Sequence, residues 1–305
     1  MDVSRLRTLR ELAQCGTMAA AAEALFLTPS AVSQQIAQLE EETGHKLTER
    51  RGRGVRLTPA GAALVAHTER LMVILDEAKA ELAVLKREIA GELRVAAFPS
   101  IASAVLPQTL KALRQVFPRL DIVLEELEPV DGLAALGSWR TDIAVIDDLS
   151  LVLEPRQKQA IELVPLAEDV LHVLLPAGHA LAGRKSLTIA DLRHQAWAMD
   201  SSSTAFAESI TRLCRRAGYE PQLNAKCRGF EMVRAMVASG CSVSVVPGLR
   251  LVRPLEAVKA VRLRPEVRRH ISLAYRQGER HHPAITVFVE EALRTAGRLL
   301  RDVRP

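Results

Sequence analysis

Residues 17–40 read Thr17-Met-Ala-Ala-Ala-Ala-Glu-Ala-Leu25, then Phe26-Leu27, then Thr28-Pro-Ser-Ala-Val-Ser-Gln-Gln-Ile-Ala-Gln-Leu-Glu40. A basic turn, Arg50-Arg-Gly-Arg-Gly-Val-Arg56, and a helix start, Thr58-Pro59, follow. Thr28 suits an N-cap, because its hydroxyl accepts a bond from an orphan helix N–H. Pro29 then occupies N1, where its missing N–H costs nothing. The spacing predicts a helix from Pro29 to about Glu41. Val32, Ile36 and Leu39 form its buried stripe. Ser30, Ser33 and Gln34 fall largely opposite, with Gln38 a turn further on. These short or planar hydrogen-bonding groups suit base edges in a major groove.

The alanines at 19–22 and 24 let two helices approach closely across the short turn. Leu6, Leu9, Leu12 and Ala13 give an earlier helix its own apolar stripe, so three helices share one small core. Taken singly, the polar face fits an ordinary helical hairpin almost as well. The arginines decide between them. Arg50, Arg51, Arg53 and Arg56 make a flexible cationic turn, with Gly52 and Gly54 between them, suited to a phosphate backbone. Capped helix, two-residue break and basic wing in this order favour a DNA reader.

Residues 4–66 resemble the winged helix-turn-helix of the LysR-type transcriptional regulators. The matching pieces are Leu9-Arg-Glu-Leu-Ala13, Gly16 through Leu25, Thr28 through Ile36, Leu39-Glu40, Gly44, Leu47, Arg50 and Leu57-Thr-Pro-Ala-Gly61. Two positions depart from the family pattern. Thr48 stands where an aromatic usually packs beneath the wing, which predicts looser packing there. Gln34 stands where many relatives carry Arg, which predicts a different base preference. The resemblance assigns DNA contact to Thr28, Pro29, Ser30, Ser33, Gln34, Gln38, Arg50, Arg51, Arg53 and Arg56. It implies an α/β multidomain chain: an N-terminal all-α winged helix-turn-helix (1–58), a linker and dimerisation helix (59–90), and a two-subdomain α/β effector domain (91–305) like the periplasmic binding proteins. Subdomain I is expected at about 91–163 and 266–305, and subdomain II at about 164–265. Double-stranded promoter DNA, a small-molecule effector and further copies of the chain, as dimer or tetramer, are the implied partners; RNA polymerase is left open as another.

Composition bounds the rest. At 305 residues the chain is long enough for two or three domains. Aromatics make up 3%, too few for stacking platforms on single strands. No run of 18 apolar residues and no signal-peptide pattern occurs, so a soluble cytoplasmic protein with no membrane partner is expected. The net charge of +5 invites a nucleic-acid reading, but residues 1–90 hold 12 basic and 12 acidic side chains. DNA affinity must therefore come from placement in the wing. The excess lies in residues 253–305, with 12 basic against 6 acidic.

From Leu71, apolar residues recur at 75, 78, 82, 85 and 89, as in a coiled-coil seam. The pattern predicts a helix from Pro59 to about Ala90 that pairs with a second copy; packing on its own C-terminal domain is the alternative. Gly91 is a natural stop. Beyond it, strands and helices alternate, which implies a parallel-rich sheet covered by helices. Strands are expected at 92–98, 121–127, 142–146, 161–166, 170–175, 195–199, 222–227, 242–246, 261–264 and 270–276. Helices are expected at 103–117, 131–137, 204–217, 230–239 and 284–301. Val237-Ala-Ser-Gly-Cys-Ser-Val-Ser-Val-Val-Pro247 is the most specific motif of this half.

Ligands in such folds bind where strands end and helix N-termini offer free N–H groups. Three corners qualify: Pro99, Ser100, Ile101 and Ser103; Ser201, Ser202 and Thr204; Arg228 and Phe230. Their hydroxyls and single cation suit a small anionic metabolite, although Ser and Thr at helix starts are as often plain caps. Asp147 and Asp148 fit a solvated hinge better than the cleft. Cys15, Cys214, Cys227 and Cys241 form no C-x-x-C pair, and no zinc spacing is present, so no metal or cofactor is expected. Some LysR-type regulators sense peroxide through two effector-domain cysteines. Cys214 with Cys227 is the pair such sensing would use here, and a vestigial cleft is the other alternative. No Gly-x-Ser-x-Gly elbow, Gly-x-Gly-x-x-Gly turn or Walker loop occurs, so an enzyme is not expected.

Overall fold

The computed structural model describes residues 1–51, 54–85, 89–201, 204–252 and 254–299. The chain divides into two compact units, Met1–Arg87 and Glu88–Pro305.

In the first unit, α1 (Val3–Cys15) and α2 (Met18–Ala24) start at Asp2 and Thr17, whose side chains accept from the N–H groups of Ser4 and Ala20. Thr28 caps α3 (Pro29–Thr43). The hairpin of β1 (Thr48–Arg51) and β2 (Gly54–Leu57) follows, then α4 (Pro59–Leu85). Leu6, Leu9, Leu12, Ala21, Val32, Ile36, Leu39 and Leu47 form one core. Residue 61 must be glycine, since a Cβ there would sit 2.1 Å from the Leu47 carbonyl oxygen. Of the expected seam, Leu71 and Ala78 are exposed and Leu75 is half-buried, while the side chains of 82 and 85 and residues 86–88 lie outside the described part.

The second unit is built on an eight-stranded mixed sheet. Its elements in order are β3 (Gly91–Ala97), α5 (Pro99–Ala104), α6 (Leu106–Val116), β4 (Leu120–Glu126), α7 (Pro129–Gly137), β5 (Ile143–Asp147), α8 (Pro155–Ala160), β6 (Ile161–Pro176) and β7 (Ser186–Leu187). Then come β8 (Ala196–Asp200), α9 (Thr204–Arg216), β9 (Gln222–Cys227), α10 (Phe230–Ala238), β10 (Ser244–Pro247), β11 (Val258–Leu263), β12 (Arg268–Arg276) and α11 (Pro283–Leu299). The strand order is β4-β3-β5-β12-β6-β11-β7, with β10 also on β6, and β8 with β9 forms a separate parallel pair.

Three expectations change. The sheet is mixed rather than parallel-rich, because β12 runs antiparallel to β5 and β6, and β10 and β11 run antiparallel to β6. The single helix at 103–117 is two, α5 and α6, broken at Val105 just before Pro107. The strands at 161–166 and 170–175 are one strand, β6. Pro165 and Asp169 interrupt its apolar run. However, Pro165 lies at a bulge opposite Ser272, where a missing N–H is tolerated, and Asp169 is neutralised from β12. Along β6 the partner changes between Val170, which faces Arg268 of β12, and Leu171, which faces Pro247 of β10. One core gathers around Leu93, Ile101, Ile143, Leu273 and Phe288; a second gathers around Leu171, Val173, Trp197, Cys214 and Val245. Fully burying a side chain such as Phe288 contributes about 1.5–3 kcal/mol.

Candidate DNA interface and effector cavity

α3 is buried on one side only. Val32, Ile36, Leu39 and Glu40 face the core, whereas Thr28, Pro29, Ser30, Ser33, Gln34 and Gln38 are all exposed. Thr28 Oγ1 accepts from Ala31 N–H at 3.2 Å, which fixes the start of the helix. The α2–α3 turn is locked by Leu27 N–H donating to Ala22 O at 2.8 Å. At its tip Phe26 takes a φ of 55° and is 96% exposed. The sequence reading passed over this residue; the signal was an aromatic in the turn after a helix made mostly of alanine.

The wing is anchored rather than loose. Glu40 Oε1 accepts from Leu47 N–H at 3.0 Å, Thr48 N–H at 3.2 Å and Thr48 Oγ1 at 3.2 Å, and Oε2 accepts from Lys46 Nζ at 2.6 Å. Burial pushes the Glu40 carboxyl up, but the Lys46 ammonium and the two backbone donors outweigh it and hold it below the usual range. Thr48 thus replaces the expected aromatic packing with hydrogen bonds to a carboxylate. Val55 N–H donates to Gly16 O at 2.8 Å and ties the hairpin to the α1–α2 turn. Arg50 and Arg56 are exposed. In the hairpin register Arg56 faces Glu49 and Arg50 faces Val55, so the two arginines leave opposite faces of the ribbon. Arg53 and the Arg51 side chain lie outside the described residues.

In the second unit a cavity of about 60 Å³ opens where β3, β5, β8 and β10 end. Pro99, Ser100 and Phe230 line it as expected. Ile101 is fully buried in the core below. Ser103, Ser201, Thr204 and Arg228 are exposed and do not line it. Ser103 Oγ donates to Pro99 O at 2.8 Å, and Ser201 Oγ donates to Cys227 O at 2.9 Å, so both serve the backbone. Ser202 lies outside the described residues.

The cations at the cavity are Arg250 and Arg269, which the sequence reading missed. Arg269 is 3% exposed. Its Nε and Nη2 donate to Asp169 Oδ2 at 2.9 and 2.8 Å, and Nη2 also donates to Ser100 Oγ at 2.6 Å. The guanidinium lies 4.9 Å from the centroid of the Phe98 ring. Asp169 Oδ1 accepts from Leu249 N–H at 3.1 Å. Burial raises the Asp169 carboxyl above its usual range, against the pull of Arg269. Gly248 permits this approach, since a Cβ there would lie 2.8 Å from Asp169 Oδ1 and 2.9 Å from Val170 O. Arg250 lies 5.1 Å from the Phe230 centroid and donates to Ser103 Oγ at 3.1 Å. Burial lowers its pKa. Asp147, expected as a solvated hinge residue, is buried and lines the cavity, while Asp148 is exposed and accepts from His270 N–H at 2.7 Å.

The two halves of the chain match two family models. Residues 3–62 match the bacterial regulatory helix-turn-helix protein, lysR family, and residues 86–297 match the LysR substrate binding domain. The chain belongs to the LysR family. It is a LysR-type DNA-binding transcriptional regulator whose second unit is a substrate-binding domain. A hydrogen peroxide-inducible genes activator of Pectobacterium carotovorum subsp. carotovorum is 29% identical over 284 residues, 91% of each chain. A full-length OxyR variant from Pseudomonas aeruginosa shares the fold, with a TM-score of 0.66 at 23% identity over 96% of this chain and 94% of that one. CbnR solved with its target DNA has a TM-score of 0.54 at 25% identity, over 97% of this chain and all of that one (100%).

The cysteine pair weighed for redox sensing is ill placed in this LysR-family chain. Cys214 packs with Trp197 and Ile210, and Cys227 packs in a separate cluster with Ala198 and Val233. Both are buried free thiols, and burial raises both pKa values. A raised pKa suppresses the thiolate that reacts with oxidants. No described helix is long and apolar enough to cross a membrane.

Proposed function

We propose that two or four copies of the chain bind a pseudo-palindromic promoter site in the cytoplasm and regulate transcription in response to a small molecule held in the cavity of the second unit. The carrying observation is the one-sided burial of α3, which leaves Ser30, Ser33, Gln34 and Gln38 together on the exposed face. In this reading those residues meet base edges, while Thr28, Pro29 and the wing arginines meet phosphates. CbnR, a LysR-family regulator of similar fold, forms a complex with its target DNA, which supports a DNA partner here.

α4 is the element assigned to pairing, because Leu71 and Ile74 are exposed on a helix with a near-heptad pattern. The effector domain is read as two subdomains, about 91–163 with 266–305, and 164–265, joined through β6 and the stretch before β12. The effector acts through unequal affinity for two arrangements of the paired chains, and no catalytic step is assigned to the cavity. Footprinting on promoter DNA tests the assembly. Two protected half-sites about 10 base pairs apart, or a multiple of that, are expected. A single unpaired half-site at saturation overturns pairing.

A further inference from the structure

The helix-turn-helix carries one side chain that its own folding does not explain. Phe26 is 96% exposed, whereas the other five phenylalanines of the chain are buried or half-buried. It also holds a φ of 55°, a left-handed conformation that is unfavourable for a bulky side chain. The turn around it is nevertheless fixed. Leu25 N–H donates to Ala21 O at 3.0 Å, Phe26 N–H to Glu23 O at 3.2 Å and Leu27 N–H to Ala22 O at 2.8 Å. The free protein therefore carries backbone strain and an apolar ring in water at one residue, and gains no burial in return. Strain of this kind persists at sites that contact ligands.

The place of Phe26 relative to α3 says what that ligand is. Residues 26–30 are exposed without a break, and the exposed surface continues along α3 through Ser33 and Gln34. Phe26 comes three residues before Pro29, the first residue of α3, so their Cα atoms are at most about 11 Å apart. A major groove is about 12 Å wide. A ring this close to the start of α3 is within reach of the groove that the N-terminal end of a recognition helix enters. Base edges in that groove present hydrogen-bond donors, acceptors and a single apolar group, the thymine C5-methyl. A phenyl ring has no hydrogen-bonding atom, so the methyl is the one feature of the groove that it can discriminate.

We propose that Phe26 is a specificity residue of the DNA-binding unit, its ring packing on the C5-methyl of a thymine in the major groove, beside the bases that α3 reads. This rests on α3 being the recognition helix. The contact removes the ring and the methyl from water together. It favours thymine over cytosine at that position, because cytosine has no methyl and presents an N–H donor that the ring cannot satisfy. Each half-site then holds one thymine beyond those bases that Ser30, Ser33, Gln34 and Gln38 meet.

The test uses the full-length protein and the genomic fragments it selects, amplified once with thymidine triphosphate and once with deoxyuridine triphosphate. The second pool keeps every base pair and lacks only the thymine methyls. The unmodified protein is expected to bind the methyl-free DNA at least about fourfold more weakly per half-site, the effect of one buried methyl. Phe26→Asn removes the ring without harming the turn, since Asn tolerates a positive φ, and its thermal unfolding temperature is expected not to fall. In this variant the penalty for the lost methyls should drop below about twofold. Its salt dependence should stay unchanged, because no phosphate contact is lost, and Phe26→Leu should restore part of the methyl preference. A penalty undiminished in Phe26→Asn overturns the assignment. So does a flattened salt dependence in that variant, which is the mark of a phosphate contact, or an unmodified protein indifferent to the methyls, as a minor-groove wedge would be. In these three cases the unmodified protein still recovers one shared site, and α3 stands as the reader. An unmodified protein that recovers no shared sequence removes both.

Discussion

Removing the Arg269 guanidinium tests how the cavity floor is held. In Arg269→Met, Asp169 stays 4% exposed and loses both hydrogen bonds to its Oδ2. Only Leu249 N–H remains on its other oxygen among the named donors. Leaving one partner of a buried pair uncompensated costs about 3–5 kcal/mol. The cost must depend on pH. Burial already raises the Asp169 carboxyl, and without Arg269 only the backbone hydrogen bonds from Leu249 and Val170 oppose that effect. The folded variant then keeps a proton that the unfolded chain releases above its normal carboxylate pKa. Stability therefore falls as pH rises from that value to the raised folded one, by about 1.4 kcal/mol per unit of difference. The deficit is smallest in acid and largest at neutral pH. Arg269→Met with Asp169→Leu removes both charges and is expected to recover most of the loss. Urea unfolding followed by tryptophan fluorescence is a clean assay, because Trp139 and Trp197 both lie in the second unit. A deficit below about 1 kcal/mol, or one that stays flat between about pH 5 and pH 8, would refute the reasoning.

Other outcomes follow from the same contacts. Glu40→Ala strands the buried Leu47 N–H and is expected to cost the first unit about 1–3 kcal/mol, read by circular dichroism with tryptophan fluorescence unchanged. Because the Glu40 carboxyl is held low, its contribution is present at neutral pH and is lost as pH falls through that lowered value. Gln34→Ala is expected to relax base preference by about 1–3 kcal/mol, whereas Arg50→Ala weakens all sequences alike and flattens the salt dependence by about one unit of slope; binding isotherms on matched and mutated sites at several salt concentrations separate the two. His270 is raised above its usual pKa by the hydrogen bond to Asp148. Its contribution is therefore full below the unfolded value and lost as pH rises through the higher folded one, and Asp148→Asn should remove that trend from thermal unfolding curves. Native-state alkylation followed by mass spectrometry should label exposed Cys241 well before buried Cys214 and Cys227.

What could be read from the sequence was set by how local the signals are. The starts of α3 and α4 were legible because Thr28-Pro29 and Thr58-Pro59 carry the cap and its helix in adjacent positions. The exposed face of α3 was legible for the same reason, since one period places Ser30, Ser33, Gln34 and Gln38 together. β6 was misread as two strands because Asp169 looks like a break until Arg269, a hundred residues later in the chain, is brought beside it. The cavity cation was misassigned to Arg228 on similar grounds. Arg228 sits at a strand end next to Phe230, as a ligand residue should, but its side chain is exposed. Arg250 and Arg269 carry no local mark of their positions. Asp147 reads as the polar end of a strand, and its buried place in the cavity wall exists only once the chain has folded.

Selection of bound genomic DNA fragments by the purified full-length protein, at two salt concentrations, tests the central claim most directly. The account predicts recovery of a palindromic site with one consistent half-site spacing at both, and loss of that site with Gln34→Ala. Salt-sensitive binding with no shared sequence would contradict it, because the polar face of α3 would then grip phosphates without reading bases.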